Sequence, residues 1–362
     1  MRVLIVKTSS LGDIIHTLPA LTDAGNAIPG VTFDWVVEEN FATIPAWHPL
    51  VKKIIPVAWR RWRKNIFSKK TLAEIFAFRN NLRREKYDLI IDAQGLVKSA
   101  IFSRFARGVH CGLDFQSARE KYAAWFYQRT CKVVFQQHAV IRARSLFSQI
   151  LGYTLPTTVA SYGIDRDRFL RDSAIENPYL VFFHGTTWAT KHWPEEYWIE
   201  LTRLANVAGY PVKLPWGNPV ELARAERIAA VSQNAIVLPP LDLPGVAKVL
   251  AGAKAIVSVD TGLGHLAAAL NIPTVSLYGP TNPAFTGALG ESQVHLAVKF
   301  KCAPCFSKVC TYRTEGKASG SGAGNDPAYG GVSSLSVTSS FEPQCFLTLL
   351  PTTVWGSLVT LF

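Results

Sequence analysis

Short, fully apolar runs alternate along this chain with segments whose apolar positions recur every three or four residues, the first pattern being that of buried strands and the second that of amphipathic helices. The clearest case is Ala255 to Val259, which runs into Asp260-Thr261-Gly262 and then into Leu263, Leu266, Ala267 and Leu270 at helical spacing. The same grammar opens the chain. Arg2 to Val6 is an apolar strand, Lys7 to Asp13 a polar, glycine-containing turn, and Ile14, Ile15, Leu18 and Leu21 a helical stripe. Further strands are predicted at Phe33 to Val37, Ile54 to Val57, Asp88 to Asp92, Tyr179 to Phe183, Pro211 to Gly217, Ala235 to Leu238 and Pro273 to Thr281. Val133 to Ala160 reads as a helix and a linker, with Leu155-Pro156-Thr157-Thr158 marking a change of domain.

Strand and helix alternating in this way predict an α/β protein with two Rossmann-like, doubly wound parallel sheets. Ligands of such sheets bind outside the carboxyl ends of the strands, so the turns after the strands are the candidate site. The free N–H groups of a helix that follows a strand favour a phosphate there. Asp260 is expected to cap such donors, Thr261 to offer a hydroxyl, Gly262 and Gly264 to let the backbone approach a ligand, and His265 to face the same mouth. Asp13 is either a first-turn carboxylate of its helix or a general base. No G-x-G-x-x-G and no G-K-[ST] is present, so neither a dinucleotide fingerprint nor a P-loop is expected.

Length and composition narrow the class. With 362 residues the chain accommodates two domains, each able to bury a core, and 48% hydrophobic with 18% charged residues describe a globular enzyme. No apolar run is long enough to span a bilayer and the N-terminus does not read as a signal peptide, so the expected compartment is the cytoplasm. Six cysteines lack the pattern of a secreted disulfide scaffold. Cys302, Cys305 and Cys310 have metal-like spacing, but no fourth ligand at a recognised spacing follows and a loop of reduced thiols is expected.

A net charge of +12 predicts an acidic partner. From Arg60 to Arg84 nine Lys or Arg face one acid, Glu74, and Trp59 and Trp62 interleave with them. That mixture suits phosphate groups or the headgroups of an anionic membrane. No nucleic-acid-binding motif accompanies it.

The residues S-S-L-G-D-I-I-H-T-L-P at 9 to 19, R-R-W-R-K at 60 to 64, D-A-Q-G-L-V-K-S at 92 to 99, K-H-W-P-E-E at 191 to 196, K-L-P-W-G at 213 to 217 and V-S-V-D-T-G-L-G-H-L at 257 to 266 resemble the lipopolysaccharide heptosyltransferases of glycosyltransferase family 9, over roughly residues 1 to 300. The resemblance implies the GT-B fold and an inverting enzyme that needs no metal or other cofactor. It implies transfer of L-glycero-D-manno-heptose from ADP-heptose to the inner Kdo of Kdo-lipid A. It makes Asp13 the catalytic base and matches Thr186, Thr187, Lys191, Glu221, Leu241, Asp260, Thr261, Gly262 and His265 to the donor site, Leu241 standing where a relative has Met. Arg60, Arg61, Arg63 and Lys64 are then expected to hold the acceptor's carboxylates and phosphates. Peripheral docking on the cytoplasmic face of the inner membrane follows from a lipid-anchored acceptor, with no nucleic-acid partner.

The expected domains are residues 1–160, binding acceptor, and 161–312, binding ADP-heptose. Residues 313–362 depart from the pattern: Gly316 to Gly331 is rich in Gly, Ser and Ala, and no amphipathic C-terminal helix is predicted, so a linker or disordered extension is expected. Two other readings remain open here: an enzyme adding the second heptose, and a non-catalytic basic module or inactive relative.

Overall fold

The computed structural model describes residues 1–171, 177–312 and 343–362. Strands β1 (Arg2–Val6), β2 (Thr32–Glu38), β3 (Val51–Val57), β4 (Lys86–Asp92), β5 (Arg107–Leu113) and β6 (Arg129–Cys131) form one sheet in the order β3-β2-β1-β4-β5-β6. Strands β7 (Leu180–Phe183), β8 (Val212–Leu214), β9 (Ala235–Val237), β10 (Ala255–Val259), β11 (Thr274–Tyr278) and β12 (Gln293–Ala297) form a second, in the order β12-β11-β10-β7-β8-β9. Every pairing is parallel. Counted from its own first strand, each half has the doubly wound order in which the chain reverses direction beside the first strand, here between β1 and β4 and between β7 and β10. The two-sheet GT-B architecture of the sequence reading is the one observed.

The helices are α1 (Leu11–Ala27), α2 (Trp59–Trp62), α3 (Lys69–Arg84), α4 (Val97–Ser103), α5 (Ala139–Leu151), α6 (Glu195–Val207), α7 (Pro219–Ala229), α8 (Leu243–Gly252), α9 (Gly262–Ala269), α10 (Pro283–Thr286) and α11 (Pro351–Val359). Alternate residues of each strand enter different cores, because successive side chains point to opposite faces. Leu4 and Val6 pack outward with Phe78 and Leu82 of α3. Leu180, Phe182 and Val257 pack outward with Trp198 of α6 and Val354 of α11. The inner faces, carrying Val3, Ile5, Val181, Phe183 and Ile256, share one cluster with α1, α5, α8 and α9. The two halves therefore do not bury wholly separate cores; they are fused through a helical layer between the sheets.

Two expectations need correction. The end of the chain is not patternless: α11 buries Pro351, Val354 and Leu358, and the preceding turn buries Cys345 and Phe346 against the second sheet. The cause is visible in V-x-x-x-L spacing after a helix-starting proline. Gly316 to Gly331 lie outside the described residues. Strands β5, β6 and β12 are not marked by the apolar pattern. β5 reads R-G-V-H-C-G-L, whose two glycines and exposed first residues mask its buried end. Glycine is needed there, since a Cβ on Gly112 would lie 2.4 Å from the Tyr127 ring.

Candidate functional site

The turns after β1, β4, β7 and β10 all leave carboxyl ends at the two reversal points, and the inner helical layer brings the two sets together. Ser10 caps α1 and Asp13 is its third residue, so the carboxylate folds back: Ser10 N and Oγ donate to Asp13 Oδ2 at 2.8 and 2.7 Å. Both bonds end on Oδ2, leaving Oδ1 without a protein partner. The two readings of Asp13 are thus compatible, one oxygen capping the helix and the other facing a cavity of about 590 Å³. Burial raises the Asp13 pKa, but Lys7, the Ser10 bonds and His265 outweigh it and hold the carboxyl below its ordinary value. It is ionised at neutral pH.

The cavity is lined by Lys7, Ser9, His16, Gln94, Arg119 and Arg142 from the first half and by Phe285, Thr286 and Phe306 from the second. Three cations and one carboxylate, Asp13, make up its charged lining. Gln94 is placed by its turn. Its Oε1 accepts from Thr8 N at 2.7 Å and from Thr8 Oγ1 at 2.8 Å. Below it the buried Asp92 accepts from Gln94 N, Ser99 Oγ and Tyr127 OH, so the first residue of the D-A-Q-G motif organises the turn instead of meeting a ligand. Arg142 donates from Nη2 to Ser117 O at 2.8 Å, while its buried Nε has no partner.

On the second half, Lys191 Nζ lies 2.6 Å from Asp260 Oδ2, which also accepts from Thr281 Oγ1 at 2.7 Å. Asp260 therefore does not cap α9; Thr261 holds the cap position without a side-chain bond, which leaves the N–H groups of Gly262 and Leu263 open while Gly264 N donates to Thr261 O at 3.1 Å. Thr186 Oγ1 donates to Asp260 O at 3.4 Å, and Thr187 is exposed beside it. Glu221 Oε2 accepts from Gly217 N at 2.8 Å, and its carboxyl fills the space a Cβ on Gly185 would need. Leu241 is half-buried against Gly245. Gly262 and Gly264 serve a different approach from the one expected. A Cβ on Gly262 would lie 2.9 Å from Leu11 Cβ of the facing helix, and one on Gly264 would lie 3.0 Å from Ser258 Oγ.

The halves touch through histidines. His16 Nε2 of α1 and His265 Nδ1 of α9 are 3.2 Å apart, and the His138 ring stands 5.7 Å from that of His16. Burial pushes His265 down to about 4, although Asp260 and Asp13 oppose it, and lowers His16 as well. Both are neutral at pH 7.

The cluster at 60 to 64 stands elsewhere. Arg60, Arg61, Arg63 and Lys64 do not line the cavity. Arg61 pairs with Glu39 at 3.2 Å and Glu74 at 2.7 Å, Arg60 lies over the Phe41 ring, and the Trp62 ring is buried with Nε1 donating to Glu74. The cations that reach the cavity, Lys7, Arg119 and Arg142, carry no run or periodic signature; Lys7 alone lay in a turn already singled out.

A sequence model of the family described as glycosyltransferase family 9 (heptosyltransferase) matches residues 75–315. The chain belongs to glycosyltransferase family 9. Among curated members of this family it is similar to lipopolysaccharide heptosyltransferase 1 of Pseudomonas aeruginosa, 60% identical over 86% of this chain and 88% of the relative. It is 55% identical to the Escherichia coli K12 protein of the same name, over 81% of this chain and 92% of that one. The solved structure of the E. coli heptosyltransferase WaaC with ADP superposes with a TM-score of 0.80 at 54% identity, covering 83% of this chain and 94% of that one. E. coli heptosyltransferase II, at 20% identity and a TM-score of 0.72, shares the fold. This is the family whose motifs the sequence resembles, and the fold and enzyme class are those expected of it.

Proposed function

We propose that this family 9 glycosyltransferase moves L-glycero-D-manno-heptose from ADP-heptose to the inner Kdo of Kdo-lipid A, in building the lipopolysaccharide inner core. The observation that carries the reading is the contact between the first turn of α1, where one carboxylate oxygen of Asp13 has no protein partner, and the first turn of α9, beside which Asp260 holds Lys191. The acceptor hydroxyl attacks the anomeric carbon while Asp13 Oδ1 takes its proton, a contribution of typically about 10²- to 10⁴-fold. The bond from that carbon to the diphosphate breaks on the opposite face, which inverts the centre. Charge arriving on ADP is met by Lys191, the hydroxyls of Thr186 and Thr187 and the N–H groups after Thr261, so the chain's own groups suffice without a metal. Glu221 is suited to the ribose hydroxyls. Lys7, Arg119 and Arg142, which line the cavity, are suited to the acceptor's carboxylates and phosphates alongside Arg60, Arg61, Arg63 and Lys64 outside it.

Attachment to the cytoplasmic face of the inner membrane belongs to this reading because the acceptor is a lipid; no helix among the described residues is long and apolar enough to cross a bilayer. Addition of the first rather than the second heptose is favoured by identity: 60% and 55% to relatives named heptosyltransferase 1, against 26% to E. coli heptosyltransferase 2. Transfer from ADP-heptose to Kdo-lipid A, compared with its heptosylated product as acceptor, tests the assignment. Wild-type turnover only on the heptosylated acceptor would reverse it. Asp13→Ala is expected to lower kcat by about 10²-fold or more while ADP affinity measured by calorimetry stays within about twofold. Unchanged turnover in that variant would remove Asp13 from the mechanism.

A further inference from the structure

Helix α3 carries two stripes at the same spacing. Thr71, Ile75, Phe78 and Leu82 turn inward, with Phe78 and Leu82 in the outer core of the first sheet. Leu72, Phe76, Arg79 and Arg83 occupy the adjoining stripe, on which Phe76 is 59% exposed and Leu72 is exposed too. The segment before the helix adds Phe67, 90% exposed, and Ile66, set among Arg63, Lys64, Lys69 and Lys70. Four exposed apolar side chains within eleven residues form a local concentration of the kind that marks an interaction surface. The aromatic residues first read as membrane-seeking, Trp59 and Trp62, are instead packed against Phe102 and Phe78.

The charge around this face is unbalanced. Its one acid, Glu74, is already engaged by Arg61 and Trp62, and Lys64, Lys69 and Arg79 form no ion pair among the described residues. A second copy of the same face would set cation against cation. An anionic surface with an apolar layer beneath it satisfies both components, since Phe and Leu enter the acyl boundary while Lys and Arg reach back to the headgroups. Position agrees as well. β3 is the edge strand of the first sheet, and the chain leaves its carboxyl end into residues 59 to 68, the same end of the sheet as the Asp13 turn.

We propose that the face formed by Ile66, Phe67, Leu72 and Phe76 with Lys64, Lys69 and Arg79 is the surface by which the protein docks on an anionic lipid bilayer. It deepens the membrane reading above by naming the element that touches lipid. It is tested by binding alone, so a failure of the heptosyl-transfer reading would leave the result interpretable.

Flotation of the full chain with phosphatidylcholine vesicles, with and without phosphatidylglycerol, gives the first readout; strong binding only to the anionic vesicles is expected. Phe67→Ser combined with Phe76→Ser should weaken that binding by about tenfold at fixed salt, with the melting temperature unchanged because both rings are exposed. Lys69→Gln with Arg79→Gln should weaken it too and flatten its salt dependence. Turnover on a water-soluble Kdo acceptor should be the same in both variants as in wild type. Equal binding to neutral vesicles, undiminished binding by the phenylalanine variant, or displacement of the protein from anionic vesicles by a single-stranded polynucleotide at equal charge concentration would each overturn the assignment.

Discussion

His16 shows how little of a site's chemistry is legible residue by residue. In sequence it is one polar position in an apolar stripe, indistinguishable from a core histidine, and its partner His265 lies 249 residues away. Only the folded chain reveals that both imidazoles are kept neutral chiefly by burial, His16 also by the facing His265, and His265 also by His138 and Lys191. The consequence is a pH dependence with a definite sign. The folded-state pKa of both rings is below the ordinary value of 6.5, His265 at about 4, so between those values the unfolded chain binds more protons than the folded one. Stability present above pH 6.5 is therefore withdrawn as pH falls toward 4. Asp13, whose pKa is lowered, stays charged across this window. Melting curves at pH 7 and 4.5 are expected to show a smaller acid-induced drop for His16→Gln than for wild type, because Gln retains a polar group toward His265 and cannot be charged. Parallel drops would mean that the pair does not govern acid sensitivity. Asp13 itself was legible because its turn follows an apolar strand, whereas Arg119 and Arg142 were not: Arg119 follows β5, a strand the apolar pattern does not mark, Arg142 lies inside α5, and a solitary Arg looks the same in sequence whether or not a cavity lies beneath it.

Among elements, the strand-to-helix turns were readable because the period of the apolar pattern changes at them, and the alternation of strands and helices sufficed for the fold class. What the pattern could not carry was closeness between helices distant in sequence. α1 and α9 meet at their first turns, and the reason for glycine at both becomes clear only there. A Cβ on Gly12 would stand 2.7 Å from Cδ2 of His265, whose ring is already held by His16 and has nowhere to retreat. Gly12→Ala is expected to cost about 10²-fold in transfer rate by pushing the donor turn away from Asp13, with secondary structure by circular dichroism unchanged. Activity near wild type would show that the seam tolerates the shift. The final helix makes the opposite point, since a segment dismissed for low charge is held by core contacts. Phe346 is fully buried against Gly279, and Trp193 of the K-H-W-P-E-E motif donates to Leu349 O at 2.9 Å. Phe346→Ala should destabilise the protein by about 3–5 kcal/mol in urea titrations. A loss under about 1 kcal/mol would show that the last helix is dispensable to the second half.

At the scale of the whole molecule the two halves are less independent than their matching topologies suggest. Sequence punctuation at Leu155-Pro156 marks a change of unit, and two sheets of ordinary size follow from length alone. The connection is nevertheless tied down on both sides. Tyr153 OH donates to Ala20 O at 3.4 Å and the Phe169 ring stacks edge-on to Trp47 in the first half, while Arg166 donates to Ala251 O at 2.8 and 2.6 Å and Tyr162 OH to Leu289 O at 3.0 Å in the second. Added to the shared inner core, these ties make separate melting of either half costly, because it would strip the apolar faces of α1 and α5 or of α8 and α9 at once. Calorimetry of the ligand-free protein should therefore give a single unfolding transition, with the calorimetric and van't Hoff enthalpies agreeing. ADP, whose candidate contacts all lie in the second half, should shift that whole transition upward, by about 2.7 kcal/mol at a concentration one hundred times its Kd, and should not split it. Two resolved peaks, of which ADP moves only one, would mean that the halves unfold separately and that the helical layer between the sheets is a contact between domains, not a common core.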